Sequence, residues 1–164
     1  MSNATNNDFT TTVLVDATPT EAFNAVNNPR GWWSEEITGG TEKLGDEFDY
    51  HFKDVHRCKM KLVEVTPDAK VVWLVLDNYF SFAQDQSEWK NTKIVFDITR
   101  ADGKTRISFT HQGLVPALAC YDICQNAWTR YIQQSLASLI TTGTGQPNSA
   151  ENPQTEDEKK LAST

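Results

Sequence analysis

The sequence predicts an α+β fold. A curved antiparallel sheet carries one long C-terminal helix across it, and two short helices follow the first strand. Two observations carry this. Ile94-Val95-Phe96-Asp97-Ile98-Thr99 and Thr105-Arg106-Ile107-Ser108-Phe109-Thr110-His111 alternate apolar and polar residues around Asp102-Gly103, the pattern of a hairpin closed by a tight turn. Beyond Gly113 and Pro116 the period changes. Cys124, Trp128, Tyr131, Ile132, Ser135, Leu139 and Ile140 recur at helical spacing, so residues 119–141 read as the longest helix, with one broad apolar face.

The other elements follow in chain order. Phe9 to Asp16 is a β-branched strand, with Phe9, Thr11, Val13 and Val15 on one face. Thr18-Pro19-Thr20-Glu21 opens a helix: Thr18 caps it, Pro19 takes the first position and Glu21 completes a capping box. Asn27-Asn28-Pro29 stops that helix, and Gly31-Trp32-Trp33 makes a turn or second short helix. Gly39-Gly40 marks a loop. Glu47 to Phe52 alternates, with Phe48, Tyr50 and Phe52 on one face. His56–Thr66 and Lys70–Asn78 form a second hairpin around Pro67-Asp68. Tyr79 to Asn91 reads as a loop carrying Phe80, Phe82 and Trp89. Residues 1–8 and 148–164 are polar and read as disordered tails flanking one domain, 9–147.

Composition narrows the function classes. The chain has 164 residues, 38% hydrophobic and 23% charged, enough for one domain with a substantial core. A net charge of −7 disfavours nucleic acid and anionic lipid surfaces. No apolar run is long enough to span a bilayer, and the N-terminus lacks the regions of a signal peptide, so a cytoplasmic location is expected. Cys58, Cys120 and Cys124 are odd in number. Without a CxxC or HExxH spacing they read as core thiols rather than metal ligands, and neither a metal nor a cofactor is expected.

The order of motifs resembles the helix-grip superfamily: steroidogenic-acute-regulatory-related lipid-transfer (START-like) domains, birch-pollen-allergen-like proteins and polyketide cyclases, grouped as SRPBCC. Within it the chain resembles the branch named for the activator of the ninety-kilodalton heat-shock protein ATPase. The matching pieces are the Phe9-to-Asp16 strand with Pro19-Thr20-Glu21-Ala22-Phe23; Gly31-Trp32-Trp33-Ser34; Leu44-Gly45-Asp46-Glu47-Phe48; Leu62 to Pro67 before Val71-Val72-Trp73; Thr110-His111-Gln112-Gly113-Leu114; Asn126-Ala127-Trp128; and Thr142 to Pro147. They cover roughly residues 9–147. Ala127 departs from the glycine frequent at that position.

Three functional classes fit this reading. The first is a binding domain for a small apolar or amphipathic molecule between sheet and helix, with Trp32 or Trp33 at the mouth, Phe48, Tyr50, Phe96 and Phe109 on the sheet, and Trp128 and Tyr131 on the helix. The second is a protein-interaction module with a chaperone as partner, for which Tyr79-Phe80-Ser81-Phe82 is the candidate apolar patch. The third and least favoured is a cyclase- or hydrolase-like enzyme using His111. That histidine has two readings: a polar anchor or general base in a cavity, or a histidine hydrogen-bonded within the core. Trp32 and Trp33 likewise read either as a pocket lid or as anchors of a short helix. In the binding reading, Tyr131→Phe would change affinity at little cost in stability.

Overall fold

The computed structural model describes residues 8–53, 56–81, 89–118 and 120–148. Seven antiparallel strands form one curved open sheet in the order β1-β7-β6-β5-β4-β3-β2. The strands are β1 (Phe9–Val15), β2 (Ile37–Gly39), β3 (Glu47–Phe52), β4 (His56–Thr66), β5 (Lys70–Phe80), β6 (Lys93–Ala101) and β7 (Lys104–Gln112). Helices α1 (Pro19–Val26) and α2 (Pro29–Trp32) follow β1, as expected. The C-terminal helix is one rod of 22 residues in three segments: α3 (Tyr121–Arg130), a π-helical stretch (Tyr131–Leu136) and α4 (Ala137–Thr142).

Local chemistry sets most of these boundaries. The Thr18 hydroxyl accepts from Glu21 N, and the Glu21 carboxylate accepts from Thr18 N, so both halves of the capping box form. Pro29 does not only end α1: it opens α2 from the first helical position. Asp102 and Gly103 both adopt positive φ, at 52° and 81°, which matches the twist a two-residue hairpin needs. β3 alternates buried and exposed residues without a break.

Three expectations need correction. β2 lies partly in the stretch read as a Gly-Gly loop. It is too short to show a period, and the Arg30 guanidinium holds it by donating to the Ile37 and Gly39 carbonyls at 2.8 Å each. β5 runs two residues past Asn78, so Tyr79 and Phe80 are strand rather than loop; Phe82 lies outside the described residues. The long helix is not uniformly α. Its π turn makes i→i+5 bonds and rotates the following face. Leu136 is therefore buried, while Leu139 and Ile140 are only half-buried. At the ends of the described residues, Asp8 and Asn148 both contact the body. Asp8 Oδ1 accepts from Gly113 N, and Asn148 is fully buried.

The curvature has a visible cause. Pairing between β4 and β5 slips twice, leaving Val63 on β4 and Leu76 on β5 as extra residues. Such bulges bend and twist a strand pair, and here they let the sheet wrap the helix. The helix is pinned at its far end by residues 143–148. Gly143 closes it in the left-handed conformation, with φ 83°. The chain then returns past α2. Asn148 N donates to Trp33 O at 2.8 Å, and Glu35 N donates to Asn148 O at 2.8 Å. Ser135 ties the three pieces together: its hydroxyl donates to Trp32 O and accepts from Gln146 N.

Two stability tests follow. A Cβ at Gly145 would sit 2.1 Å from the Gly31 carbonyl oxygen. Gly145→Ala should cost about 1–3 kcal/mol, the size of a core overpacking, measured as a fall in the urea midpoint at unchanged m-value. Trp128→Ala should cost about 3–5 kcal/mol. A loss below about 1 kcal/mol in the same experiment would contradict its central place.

Candidate functional site

Strand alternation on β3, β6 and β7, the end of α2 and the inner face of the C-terminal helix converge on one aromatic body. All nine sequence-selected residues belong to it: Trp32, Trp33, Phe48, Tyr50, Phe96, Phe109, His111, Trp128 and Tyr131 are buried together. They touch ring to ring. Trp33 stacks on Tyr50 with centroids 4.3 Å apart and lies 5.2 Å from Trp128. Trp128 packs at 4.7 Å on Phe109 and 5.6 Å on Tyr131. Trp32 and Trp33 are therefore interior residues that anchor α2 rather than a lid at a mouth. The Trp32 indole N–H donates to Ala25 O at 3.0 Å.

Three further residues belong to this body: His56, Trp73 and Trp89. Trp73 stacks on Trp32 and Trp33 at 6.3 and 5.9 Å, and Phe48 and Phe96 meet it edge-on at 5.1 and 4.9 Å. Trp89 stacks on Trp128 at 5.6 Å and stands nearly perpendicular to His56 and His111, at 4.7 and 4.8 Å. His56 could have been found by alternation, which puts it on the same β4 face as Cys58, Met60 and Leu62. Trp73 sits in the buried run Val71-Val72-Trp73, where period-2 parity gives no face.

His111 is fully buried and its chemistry is settled by its partners. The Trp128 indole N–H donates to His111 Nδ1 at 3.2 Å, and an indole nitrogen can only donate. The ring proton is therefore on Nε2, which donates to Thr92 Oγ1 at 2.8 Å; the Thr92 hydroxyl passes its own proton's bond to Trp89 O. Both ring nitrogens are occupied, so no lone pair is left to abstract a proton. The general-base reading of His111 gives way to the hydrogen-bonded core histidine. His56 Nε2 similarly pairs with Asn78 Oδ1 at 2.9 Å. Burial pushes both histidines down to about 3, with the hydrogen bond that His56 donates to Asn78 opposing the shift at His56 and the nearby His56 adding to it at His111. Burial, with the Asp49 charge adding, holds the Cys58 thiol well above its ordinary value, so it is an inert core thiol.

Four buried side-chain atoms have no hydrogen-bond partner among the described residues: Asn27 Oδ1, Arg130 Nε and the indole nitrogens of Trp73 and Trp89. The Tyr131 hydroxyl, by contrast, accepts from the buried Asn148 amide at 2.9 Å. Removing it would take one bond from a buried amide, so Tyr131→Phe should cost about 1 kcal/mol, read as a fall in the urea midpoint. Elsewhere, a cleft of about 350 Å³ opens against β3, β4 and β5, with Asp49, His51, Arg57, Lys59, Asp77 and Tyr79 among its lining. Its charged character does not suit an apolar ligand. Phe80, expected in an exposed patch, is 2% exposed and packs on His56 and Trp89. No group of three or more metal-ligating side chains occurs among the described residues.

The sequence profile described as "Activator of Hsp90 ATPase homolog 1-like protein" matches residues 16–141, which includes nearly all of this architecture. The chain belongs to that family. Solved structures agree on the fold of this Hsp90 ATPase activator homolog 1-like chain. The Aha1 dimer of Colwellia psychrerythraea is 19% identical, with a TM-score of 0.68 over 84% of this chain and 98% of that one. MLL2253 of Mesorhizobium loti is 13% identical, with a TM-score of 0.62 over 76% and 90%. DynU16, from the dynemicin biosynthetic locus, is 15% identical, with a TM-score of 0.61 over 85% of this chain and 49% of that one. At these identities the likeness concerns fold alone. No curated protein matches the chain in sequence at a significant level. No helix among the described residues is long and apolar enough to cross a membrane.

The buried histidines make stability depend on pH. Unfolded, each titrates near 6.5; folded, each stays neutral down to about 3. Below pH 6.5 the unfolded chain takes up protons that the folded one refuses, so stability is complete above that pH and falls through the interval down to about 3. Between pH 7 and pH 5 the loss should approach about 2 kcal/mol per histidine. His111→Gln should roughly halve the slope in urea titrations across that range. An unchanged slope would show that His111 does not titrate on unfolding as argued.

Proposed function

We propose that this chain is a binding domain for a small, largely apolar molecule held between the sheet and the C-terminal helix. One observation carries the reading: the aromatic body gathers every residue chosen for such a site, and it also holds two buried indole donors without partners. An unsatisfied buried donor costs about 1–3 kcal/mol. A folded interior that leaves two of them beside stacked rings is suited to a guest that brings acceptors. A flat molecule seated between a stacked pair such as Trp33 and Tyr50 would keep a ring on each of its sides.

The enzyme reading is weaker, because His111 has neither nitrogen free. A chaperone-interaction module ranks second. The family's name supports it, but the burial of Phe80 removes part of the apolar patch it relied on. Exposed Leu14 and Leu44 offer no substitute, since scattered surface leucines are ordinary.

Thermal shift and tryptophan-quenching titrations against fatty acids, sterols and aromatic compounds test the proposal. A true ligand should bind saturably at one site. At a hundred times its Kd it should stabilise the fold by about 2.7 kcal/mol. Complete absence of saturable binding across the panel would put the interaction module first.

A further inference from the structure

We propose that the outer edge of β2 is a strand-pairing surface held closed by Arg30, and that the partner it fits is the same edge of a second copy of this chain. The proposal is independent of what the interior binds.

An end strand turns one row of backbone groups toward its neighbour and the alternate row outward. On β2 the parity is fixed from both ends. His51 N donates to Glu36 O at 3.4 Å and Gly40 N donates to Glu47 O at 3.2 Å, so residues 36, 38 and 40 face β3. The carbonyls of Ile37 and Gly39 therefore face away from the sheet, and these are the two that Arg30 takes, through Nε and a terminal nitrogen at 2.8 Å each. The planar guanidinium thus stands where the N–H groups of a further strand would stand. It is delivered from a fixed point, because Pro29 and Trp32 of α2 are buried on either side of it in sequence.

This arrangement blocks pairing in two ways. An incoming strand must donate to the outward carbonyls, and it finds them occupied. It also meets a positive charge, and two copies approaching edge to edge would bring two such charges together. The strand, Ile37-Thr38-Gly39, carries no charge or proline of its own. The outward N–H of Ile37 has no partner among the described residues, so one half of the edge's bonding capacity is already waiting.

The far edge of the sheet decides the partner. The C-terminal helix packs along β1, and Gln133 donates to Thr12 O at 2.8 Å and to Thr11 Oγ1 at 2.9 Å. A head-to-tail contact of β2 on β1 is thereby obstructed, and such a contact would grow into a fibre. Pairing of β2 with β2 remains. An antiparallel edge is complementary to itself about a two-fold axis, so the assembly closes at two copies.

The test uses the full chain as wild type, Arg30→Met and Arg30→Lys. Mass is read by light scattering over a concentration series, and hydrogen exchange is followed at the Ile37 and His51 amides. Wild type should stay monomeric. Arg30→Met keeps an apolar stem and loses both donors and the charge. It should dimerise at concentrations about tenfold or more below any that associate the wild type, the worth of one or two backbone hydrogen bonds. Its Ile37 amide should become protected as the mass doubles. Arg30→Lys keeps the charge without the two-carbonyl fork and should fall between. A folded Arg30→Met that stays monomeric, a wild type already paired through β2, or association that leaves Ile37 exchanging freely would each overturn the proposal. Growth beyond two copies would overturn the closed assembly. Fast exchange at His51, whose amide bonds Glu36, would show that a variant has lost β2. If Arg30→Met loses it, Arg30→Lys decides by the same criteria. Loss of β2 in both would make Arg30 a strut rather than a guard and overturn the proposal as well.

Discussion

The hydrogen bond from the Trp128 indole to His111 Nδ1 is the contact on which the rest of the interior depends. It joins the C-terminal helix to β7 and fixes the proton of His111 on the opposite nitrogen. That proton commits Thr92, which in turn holds the Trp89 backbone. A single donor therefore positions two strand ends, one helix and two tryptophans. It works because the surroundings are apolar: a buried imidazole must be neutral, and a neutral imidazole has one donor and one acceptor to satisfy. Trp128 also supplies ring contacts to Trp33, Phe109, Tyr131 and Trp89, so packing and hydrogen bonding act through the same side chain.

Around that contact the backbone is bent to fit. Bulges at Val63 and Leu76 curve the β4–β5 pair, and a π turn re-aims the middle of the helix. Both devices insert one residue beyond the regular repeat, and both change which side chains face inward. The π segment brings Ser135 to the Trp32 carbonyl, and Ser135 in turn accepts from Gln146. The chain after the helix thereby closes over α2, with Asn148 bonded to Trp33 and Tyr131. The pair of tryptophans at 32 and 33 is held by backbone and side chain together.

The functional reading follows from which polar groups are occupied and which are not. A histidine with both nitrogens engaged stabilises a core; it does not transfer protons. Two indole donors without partners lie in an interior without a buried Asp, Glu, Lys or Arg among the described residues. Family membership fits a fold often used for binding, and the fold alone does not name the guest.

The sequence by itself determined the elements and most of the inward faces. Period-2 alternation identified Phe48, Tyr50, Phe96, Phe109 and His111 as one inner surface. The 3.6 period identified Trp128 and Tyr131 opposite them, and the Thr18–Glu21 capping box and the Asp102-Gly103 turn were legible because each is a local interaction between residues a few positions apart. Tertiary structure decided what depends on distant partners. The tautomer of His111 required Trp128 and Thr92, which lie 17 and 19 residues away. The inward face of Trp73 is hidden in the sequence because Val71-Val72-Trp73 is apolar on both faces of β5, and β2 required the Arg30 side chain to hold three residues too few to show a period. Asn148 is polar and sits in a polar stretch, so only its bonds to Trp33, Glu35 and Tyr131 reveal it as buried. Patterns along a chain report which side a residue faces; they carry no information on which of its atoms will find a partner there.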